Sequence, residues 1–379
     1  MVTHEPAPKI ACRNVYKIFG ANPQNARELV DAGKTKAEIL RETGMTVGVC
    51  DASLEIREGE IFVVMGLSGS GKSTLVRLLN RLIEPTFGAV EIEGTDITGM
   101  TPRELIQLRR QRMAMVFQSF ALLPHRTVLD NAAFGLEIAG IDKASRYERA
   151  RKAIETVGLG ANSDSYPGEL SGGMKQRVGL ARALSNDPAI MLMDEAFSAL
   201  DPLIRTEMQD ELLRIQRETP RTIVFISHDL DEAMRIGDRI AVMESGRIVQ
   251  VATPQEIVTN PANDYVRSFF KGVDVSRVFT AGDICSRDIL PERAVDGADA
   301  AAQPANDTAA VLLDTARNYA GMTANGANGA EPLAAATPLS EMLHVVANAP
   351  HPVPVVDPAG HYLGAVSQRT LLQTLDRTR

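Results

Sequence analysis

Short apolar runs alternate with helical patterns between residue 8 and about residue 272. Two of these runs, Ile61–Met65 and Thr222–Ile226, are rich in β-branched residues and have the length of a single strand. A continuous apolar run of this length is typical of a strand buried on both faces of a parallel sheet. The alternation of such runs with helices predicts an α/β domain whose sheet is largely parallel.

The pattern changes after this region. Residues 273–337 are rich in Ala, Asp, Asn and Gly, most clearly at 294–310 and 323–337. A stretch with so few large apolar side chains predicts a linker or loosely packed structure. Over residues 338–379 the pattern returns to helix, strand, turn, strand and helix, which predicts a small α+β module.

A helical hairpin interrupts the first domain at about residues 21–46. Gly33 is a helix stop signal, and Thr35 with Glu38 has the spacing of a capping box, which starts a second helix. The hairpin is inserted between two strand-like stretches. The residues leave open whether it has a function or is a surface decoration.

Composition limits the classes of function. With 44% apolar and 23% charged residues among 379, the chain resembles a soluble globular protein of two or three domains. Its net charge of −8 argues against nucleic acid as the main partner, because neutralising phosphates requires a basic surface. A second capping box, Thr101 with Glu104, opens a helix whose arginines we expect to be solvated. Cys12, Cys50 and Cys285 are too few and too scattered for a disulfide framework or a zinc site.

The apolar runs are far shorter than the roughly 20 residues that span a membrane as a helix. Residues 1–10 also lack the apolar core of a signal peptide, so we expect none there. If the protein works at a membrane, another chain must cross the bilayer.

A phosphate-binding loop follows the Ile61–Met65 run. Residues 66–73 match the pattern G-x-x-x-x-G-K-S and lead into a helical segment at 74–82. Glycines let the backbone curl so that successive N–H groups point at phosphates, and the helix N-terminus adds partial positive charge. Lys72 is predicted to reach the β- and γ-phosphates, and the Ser73 hydroxyl to bind Mg²⁺. The residues predicted to bind the nucleotide here are Gly66, Leu67, Ser68, Gly69, Ser70, Gly71, Lys72, Ser73 and Thr74.

Two acids end another apolar run, at 190–195. The predicted strand places Asp194 beside the phosphate-binding loop, where it can hold Mg²⁺. Glu195 is then positioned to polarise an attacking water as a general base. A strand-terminal Asp-Glu pair is a weak signal by itself, so the motifs around it, at 170–177 and 198–201, decide its meaning.

The order of these motifs resembles that of the nucleotide-binding subunits of ABC transporters, over residues 8–272. The segment 170–174 (LSGGM) is similar to their signature motif. The resemblance implies that Ser171, Gly172 and Gly173 contact ATP held by the phosphate-binding loop of a second subunit, so that a homodimer carries two composite sites. Met174 replaces the family's usual Gln, and we expect this to cost little because the serine and the glycines carry the phosphate contacts.

Further positions match residues that act on the nucleotide in this family. Gln118 matches the Q-loop glutamine, which senses Mg²⁺ and the attacking water, and His228 matches the switch histidine that steadies the γ-phosphate. Phe19 resembles the aromatic that stacks on adenine, but the inserted hairpin lengthens the chain between it and the loop, which leaves Tyr16 as an alternative. The resemblance implies two overlapping sets, the catalytic residues Glu195, His228, Gln118 and Lys72 and the Mg²⁺ ligands Ser73, Gln118 and Asp194.

A closer resemblance is to the ATPase subunits of glycine betaine/proline betaine importers. It rests on the inserted hairpin, the tract 117–125, Met174 in the signature and the segment 194–205. It implies ATP-driven uptake of compatible solutes under osmotic stress, with a membrane permease and an extracytoplasmic substrate-binding protein as partners and no nucleic acid. It also implies a peripheral position on the cytoplasmic face of the inner (plasma) membrane. The apolar residues after the Q-loop glutamine are candidates for a groove that receives a permease helix, or for core positions. They are Phe120, Leu122 and Leu123.

The C-terminal module, at 338–379, resembles one CBS module with its strands on either side of a turn at Gly360. Such modules normally pair, and pairs often bind adenine nucleotides or sense ionic conditions. Residues 280–332, where a first module is expected, lack the strand-turn-strand half, so 273–337 is interpreted as a linker or a degenerate first module. Thr370 stands where ligand-binding modules carry an acid. Sensing remains one alternative, and a dimerisation or vestigial role is the other.

Other functions are weighed against importer ATPase activity for betaines. The same machine could serve another solute, such as choline, carnitine or an amino acid derivative. A soluble ABC ATPase acting on DNA or ribosomes would carry a long coiled coil between the loop and the signature, or two cassettes, and the sequence has neither. A catalytically inactive regulator is opposed by the intact Lys72, Asp194, Glu195 and His228.

Overall fold

The computed structural model describes residues 7–294, 309–314, 317–323 and 331–376. The chain forms two compact units, which divide after Pro254. This division lies before the predicted boundary at residue 272, because residues after Pro254 form hydrogen bonds with later segments. For example, Gln255 Nε2 donates to Val278 O at 3.1 Å. The predicted domain identities, over 8–272, 273–337 and 338–379, stay predictions.

The first unit contains two sheets and a set of helices. Its strands are β1 (Ile10–Phe19), β2 (Thr46–Ile56), β3 (Ile61–Met65), β4 (Phe87–Ile92), β5 (Thr95–Asp96), β6 (Met113–Phe117), β7 (Ile190–Asp194), β8 (Thr222–Ile226), β9 (Arg239–Glu244) and β10 (Arg247–Ala252). Its helices are α1 (Pro23–Asp31), α2 (Lys36–Thr43), α3 (Lys72–Leu79), α4 (Pro102–Arg112), α5 (Val128–Ile138), α6 (Lys143–Thr156), α7 (Gly172–Ser185), α8 (Pro202–Glu218) and α9 (Leu230–Ile236).

A six-stranded sheet of order β10-β9-β3-β8-β7-β6 forms the centre of this unit. Its strands run parallel except at the edge, where β10 is antiparallel to β9. Every position of β3, β7 and β8 is buried, which confirms the prediction that these apolar runs are internal strands. An antiparallel sheet of order β2-β1-β4-β5 contributes to the same hydrophobic core, together with α3. The α/β fold with a mixed sheet is therefore confirmed, and α5, α6 and α7 pack together as a helical subdomain.

The inserted hairpin consists of α1 and α2, as the capping signals predict. Thr35 and Glu38 form the capping box, and Gly44 ends α2 in the left-handed conformation. The two ends of the insert lie next to each other, because Phe19 at the end of β1 pairs with Thr46 at the start of β2. It is packed onto the unit through a small core of its own. That core contains Tyr16, Ile18, Ala26, Val30, Ile39, Met45, Val47 and Cys50.

The arginine run on α4 is only partly solvated. Arg109, expected on a solvated face, donates instead to the carbonyls of Asn80 and Arg81, at 2.9 and 2.7 Å. The expectation is wrong at this position because the turn that ends α3 leaves carbonyl oxygens that need donors. The second capping box, of Thr101 with Glu104, is confirmed.

The second unit contains two small sheets of the same topology. Its helices are α10 (Pro254–Thr259), which begins at the boundary, α11 (Asp264–Phe269), α12 (Ala281–Ile284), α13 (Leu339–Asn348) and α14 (Gln368–Asp376). Its strands are β11 (Glu292–Ala294), β12 (Ala310–Leu313), β13 (Tyr319–Thr323), β14 (Leu333–Ala334), β15 (Val353–Val356) and β16 (Tyr362–Val366). In each sheet the first strand is parallel to the second, and the second is antiparallel to the third.

The two sheets carry equivalent hairpin turns. Asp314 accepts from the Asn318 N–H at 2.8 Å, and Asp357 accepts from the His361 N–H at 2.8 Å. The prediction that residues 280–332 lack a strand-turn-strand half is therefore wrong. The hairpin was hidden because Ala- and Asn-rich segments flank it, and these segments, 295–308 and 324–330, lie outside the described residues. No helix in the described parts of the chain is both long and apolar enough to cross a bilayer.

Candidate active site

The phosphate-binding loop joins β3 to α3, as the sequence predicts. Gly66 and Gly71 have φ angles of 147° and 105°, which disfavour any side chain. A Cβ at Gly66 would lie 2.2 Å from Met243 O, and one at Gly71 would lie 2.5 Å from Gly48 O. Both glycines are needed because the loop presses against the neighbouring backbone, so the motif's spacing has a direct steric cause.

The lysine of the loop is held by the loop itself. Lys72 Nζ donates to Gly66 O at 2.8 Å and to Leu67 O at 3.2 Å. Burial lowers the pKa of Lys72, while the charges of Glu195 and Asp194 oppose that shift. The buried Ser70 hydroxyl has no hydrogen-bond partner within the described structure. An unpaired donor beside a buried ammonium and a helix N-terminus suits a phosphate group.

The predicted Mg²⁺ ligands Ser73 and Asp194 are in contact. Ser73 Oγ donates to Asp194 Oδ1 at 2.9 Å. Hydroxyl and carboxylate oxygens are hard ligands that fit Mg²⁺, which binds through one or two carboxylates and the substrate phosphates. The described ranges contain no group of three or more His, Cys, Asp or Glu side chains that could hold a metal. A Mg²⁺ site completed by substrate phosphates does not need such a group.

Arg77 is a residue at this site that the sequence analysis missed. Its guanidinium lies 3.3 Å from Asp194 Oδ2. It follows Ser73 by one helical turn, so the i, i+4 spacing on α3 was a signal that could have identified it.

Two predicted catalytic side chains, those of Gln118 and His228, meet at the third, Glu195. Gln118 Nε2 donates to Glu195 Oε2 at 3.3 Å, and His228 Nδ1 lies 3.5 Å from the same oxygen. Glu195 has a φ of 47°, a left-handed conformation that is uncommon for a side-chain-bearing residue and often marks a functional site. Ser198, which the sequence analysis gave no role, accepts from Gln118 at 3.2 Å and donates to Glu195 O at 2.9 Å. The structure thus brings together Gln118, His228 and Glu195 from the segments that directly follow β6, β8 and β7.

Phe19 and Tyr16 differ in their exposure. The Phe19 side chain is 42% exposed, and an added Cβ on Gly48 would lie 3.0 Å from its ring and 3.3 Å from Thr74. Phe19 is therefore close to the start of α3, despite the inserted hairpin. Tyr16 is 5% exposed and packs edge-on against Phe87. Of the two rings, that of Phe19 is the more exposed, and Lys17 Nζ lies 4.9 Å from its centroid.

The signature residues have local contacts. Ser171 caps α7 by accepting from the Met174 N–H at 3.3 Å. A Cβ at Gly173 would lie 2.5 Å from Ile204 Cγ2, so α8 packs close to the start of α7. No hydrogen bond or ion pair in the described parts of the chain joins Ser171, Gly172 or Gly173 to the phosphate-binding loop, and Ser171 and Gly172 are exposed. The predicted contact with a nucleotide of a second subunit stays a prediction.

This fold and this site define an ABC-type ATP-binding cassette. A family model described as "ABC transporter" matches residues 49–198. Together with relatives that align along nearly the whole chain, the match shows that the chain belongs to the ATP-binding subunits of ABC transporters. As a member of that family it is an ATP-hydrolysing subunit.

Relatives that are more than half identical to this chain include ATP-binding proteins of betaine transport systems. The glycine betaine/proline betaine transport system ATP-binding protein ProV of Salmonella typhimurium is 55% identical over 98% of this chain and 98% of its own length. The glycine betaine transport ATP-binding protein OpuAA of Bacillus subtilis is 57% identical over 76% of this chain and 69% of its own length. Among solved structures, the dimeric ABC transporter cassette MJ0796 aligns with a TM-score of 0.55 and 30% identity, over 65% of this chain and 98% of that chain.

Proposed function

We propose that this chain is the energy-coupling ATPase of an importer for glycine betaine, proline betaine and related compatible solutes. The observation that carries the proposal is the extent of the likeness to the betaine transport subunit, which includes the insert and the C-terminal unit. A shared cassette alone would support only ATP-driven transport, because the cassette does not contact the solute. Uptake of such solutes serves cells under osmotic stress.

In the proposed mechanism the phosphate-binding loop and Lys72 hold the ATP phosphates. Ser73, Asp194 and Gln118 would hold Mg²⁺, which neutralises charge on the phosphates when bound. Glu195 acts as general base on the attacking water. Gln118 and His228 both lie at Glu195 Oε2, where they orient the carboxylate and the water. The left-handed backbone of Glu195 keeps its carboxylate at the end of β7.

The proposed assembly is a homodimer that encloses two nucleotides. The exposed N-terminus of α7 at Ser171 supports it, because an uncovered helix N-terminus favours the phosphates of a nucleotide held by a second copy. The further partners are a membrane permease and an extracytoplasmic substrate-binding protein, with the chain peripheral on the cytoplasmic face of the plasma membrane. Phe120, Leu122 and Leu123 are half-buried, so they can take part in both the core and a groove for the permease.

For the C-terminal unit we propose a pair of CBS-like repeats, the first degenerate. The two hairpins bond to each other, since the Tyr319 N–H donates to Gly360 O at 3.0 Å. Thr370 bonds Ser367, both through its hydroxyl and through its N–H, at 2.9 and 3.1 Å. A residue used to start α14 in this way is a poor replacement for a ribose-binding acid, which favours dimerisation over nucleotide sensing.

Reconstitution tests the proposed function. The full chain is combined with its permease and substrate-binding protein in ATP-loaded vesicles, and uptake of labelled glycine betaine is measured. We expect uptake that requires ATP and is abolished by Glu195→Gln, while ATP binding persists. Uptake that continues with the Glu195→Gln variant would overturn the assigned mechanism. ATP hydrolysis without uptake of glycine betaine would overturn the proposal that betaine is the transported solute.

A second candidate is the same role for carnitine or another quaternary amine. The glycine betaine/carnitine transport ATP-binding protein GbuA of Listeria monocytogenes is 53% identical over 76% of this chain. Competition decides between them. Unlabelled carnitine or choline that displaces labelled glycine betaine at equal concentration favours a broad importer, and failure to compete favours betaine specificity.

A further inference from the structure

The backbone just after Gln118 is strained. Phe120 and Ala121 have φ angles of 57° and 49°, so two consecutive residues adopt the left-handed conformation. Neither is Gly or Asn, the residues that tolerate this conformation best. The Ala121 N–H also donates to Ser119 O at 2.5 Å, which tightens the turn. Such a segment persists only when neighbouring groups hold it.

Arg182 on α7 is the group that holds this segment. Its guanidinium donates to Phe120 O at 2.9 Å and to Ala121 O at 2.5 Å. Burial lowers the pKa of Arg182, and across the described ranges no carboxylate forms an ion pair with it. A half-buried cation without a counter-ion is unusual, because its charge must then be satisfied by neutral acceptors. Here the acceptors are the two carbonyls of the strained segment.

We propose that Arg182 is a positioning residue for ATP hydrolysis. By fixing the carbonyls of Phe120 and Ala121, it keeps the strained turn in place and keeps Gln118 within 3.3 Å of Glu195. Since Ser171 caps α7 and Gly172 begins it, Arg182 also joins the segment after Gln118 to the helix that carries the signature residues. The inference rests on the proposed role of Gln118 in hydrolysis.

The proposal separates hydrolysis from nucleotide binding. Without the guanidinium, Phe120 and Ala121 relax toward the ordinary right-handed or extended conformation, and Gln118 leaves Glu195. Lys72 and the phosphate-binding loop lie on other elements and keep their contacts. Loss of Arg182 therefore lowers kcat and leaves KM for ATP nearly unchanged.

The first test uses steady-state ATP hydrolysis by the full chain. We expect Arg182→Gln to lower kcat roughly tenfold or more, since two hydrogen bonds from a charged donor are lost, with KM changed less than about threefold. Arg182→Lys should retain an intermediate kcat because an ammonium still reaches a carbonyl. Arg214→Gln is the matched control, since Arg214 also donates to a backbone carbonyl, Thr156 O, at 2.8 Å. It should behave like the wild type.

The second test concerns backbone strain. Ala121 is exposed, so its substitutions do not disturb packing. We expect Ala121→Val to lower kcat in the otherwise unchanged chain, because a β-branched residue resists the left-handed conformation. Ala121→Gly should restore several-fold activity to Arg182→Gln, because glycine adopts this conformation without being held.

Three outcomes overturn the inference. They are a wild-type kcat in Arg182→Gln, a loss of ATP affinity as large as the loss of kcat, and a wild-type kcat in Ala121→Val. Gln118→Ala separates this failure from a failure of the proposed function. If Gln118→Ala lowers kcat and Arg182→Gln does not, only the inference about Arg182 fails. If Gln118→Ala has no effect, the proposed role of the Q-loop fails as well.

Discussion

Close to His228, the predicted switch histidine, lies a buried carboxyl group, that of Glu232 on α9. Ser227 Oγ donates to it at 2.5 Å and Gln209 Nε2 at 3.1 Å. Ser227 immediately precedes His228, and its hydroxyl also accepts from the Asp229 N–H at 2.9 Å. The backbone on either side of His228 is therefore held by a glutamate that lies outside the group of predicted catalytic residues.

Glu232 makes stability depend on pH. Burial raises the pKa of Glu232, and the charge of Asp229 adds to this, while the hydrogen bonds from Ser227 and Gln209 and the charge of Arg205 oppose it. A carboxyl with a raised folded-state pKa stabilises the fold below its unfolded pKa of about 4.3, and this contribution is lost as pH rises through the folded pKa. We expect Glu232→Gln to gain stability relative to the wild type in urea unfolding as the pH rises above the unfolded-state pKa of about 4.3. A difference in stability between Glu232→Gln and the wild type that does not change with pH would contradict this expectation.

The adenine contact can be tested at two aromatic residues. Phe19→Ala should raise KM for ATP roughly tenfold with little change in kcat, because stacking of a base on an aromatic ring contributes about 1–3 kcal/mol. Tyr16→Leu should leave KM unchanged, since Tyr16 is buried in the core of the insert. The reverse pattern in steady-state kinetics would assign the stacking to Tyr16.

Residues in motifs could be identified from the sequence, and residues outside them could not. Lys72, Ser73 and Asp194 follow from local spacing and strand ends, and the structure brings them together. Arg182 is one arginine among many in the sequence. Its partners are carbonyls some sixty positions away, so only the tertiary fold reveals them.

At the scale of elements, the inserted hairpin has a contact that a surface decoration would not need. Lys36, the first residue of α2, donates to Gly48 O at 3.0 Å. The same carbonyl borders the phosphate-binding loop at Gly71. Burial lowers the pKa of Lys36. The hairpin is thus joined to the backbone that supports the loop.

This contact gives a prediction for the insert. Lys36→Gln should raise KM for ATP severalfold, because the Gly48 carbonyl loses a charged donor and the wall beside Gly71 becomes mobile. Lys34→Gln is the matched control, since Lys34 lies in the same insert and pairs with Glu42 near the surface. Equal KM values for the two variants would support the decoration alternative.

Helices that begin with a capping box were predicted correctly, whereas strands flanked by Ala- and Asn-rich segments were not. The capping boxes at Thr35 and Thr101 placed the starts of α2 and α4 because side chain and backbone satisfy each other locally. The β12–β13 hairpin was missed because Ala- and Asn-rich segments flank its short apolar run. Comparison with the β15–β16 hairpin would have revealed it, because Asp, Tyr and Gly recur at the same spacing in both.

At the scale of the whole molecule, each active site is expected to need a second copy of the chain. Glu195→Gln should form a dimer in ATP, because nucleotide is bound and not hydrolysed, and remain a monomer without ATP. Adding Ser171→Arg should prevent the dimer, since a bulky cation at the N-terminus of α7 blocks the approach of the second loop. Light scattering on a sizing column measures both masses. A dimer that forms with Ser171→Arg would contradict the composite site.

The register of the central sheet has a consequence for synthesis of the chain. β3 pairs with β8 and β9, as where Ile61 lies beside Ile223, so both edges of the loop-bearing strand stay open until late segments leave the ribosome. At 5–20 residues per second, that delay is on the order of ten to thirty seconds. The antiparallel sheet, complete by Asp96, can form meanwhile. During this interval an apolar strand without neighbours is an aggregation hazard, so the nascent chain should depend on chaperones, and slow codons between β3 and β8 would lengthen the exposure.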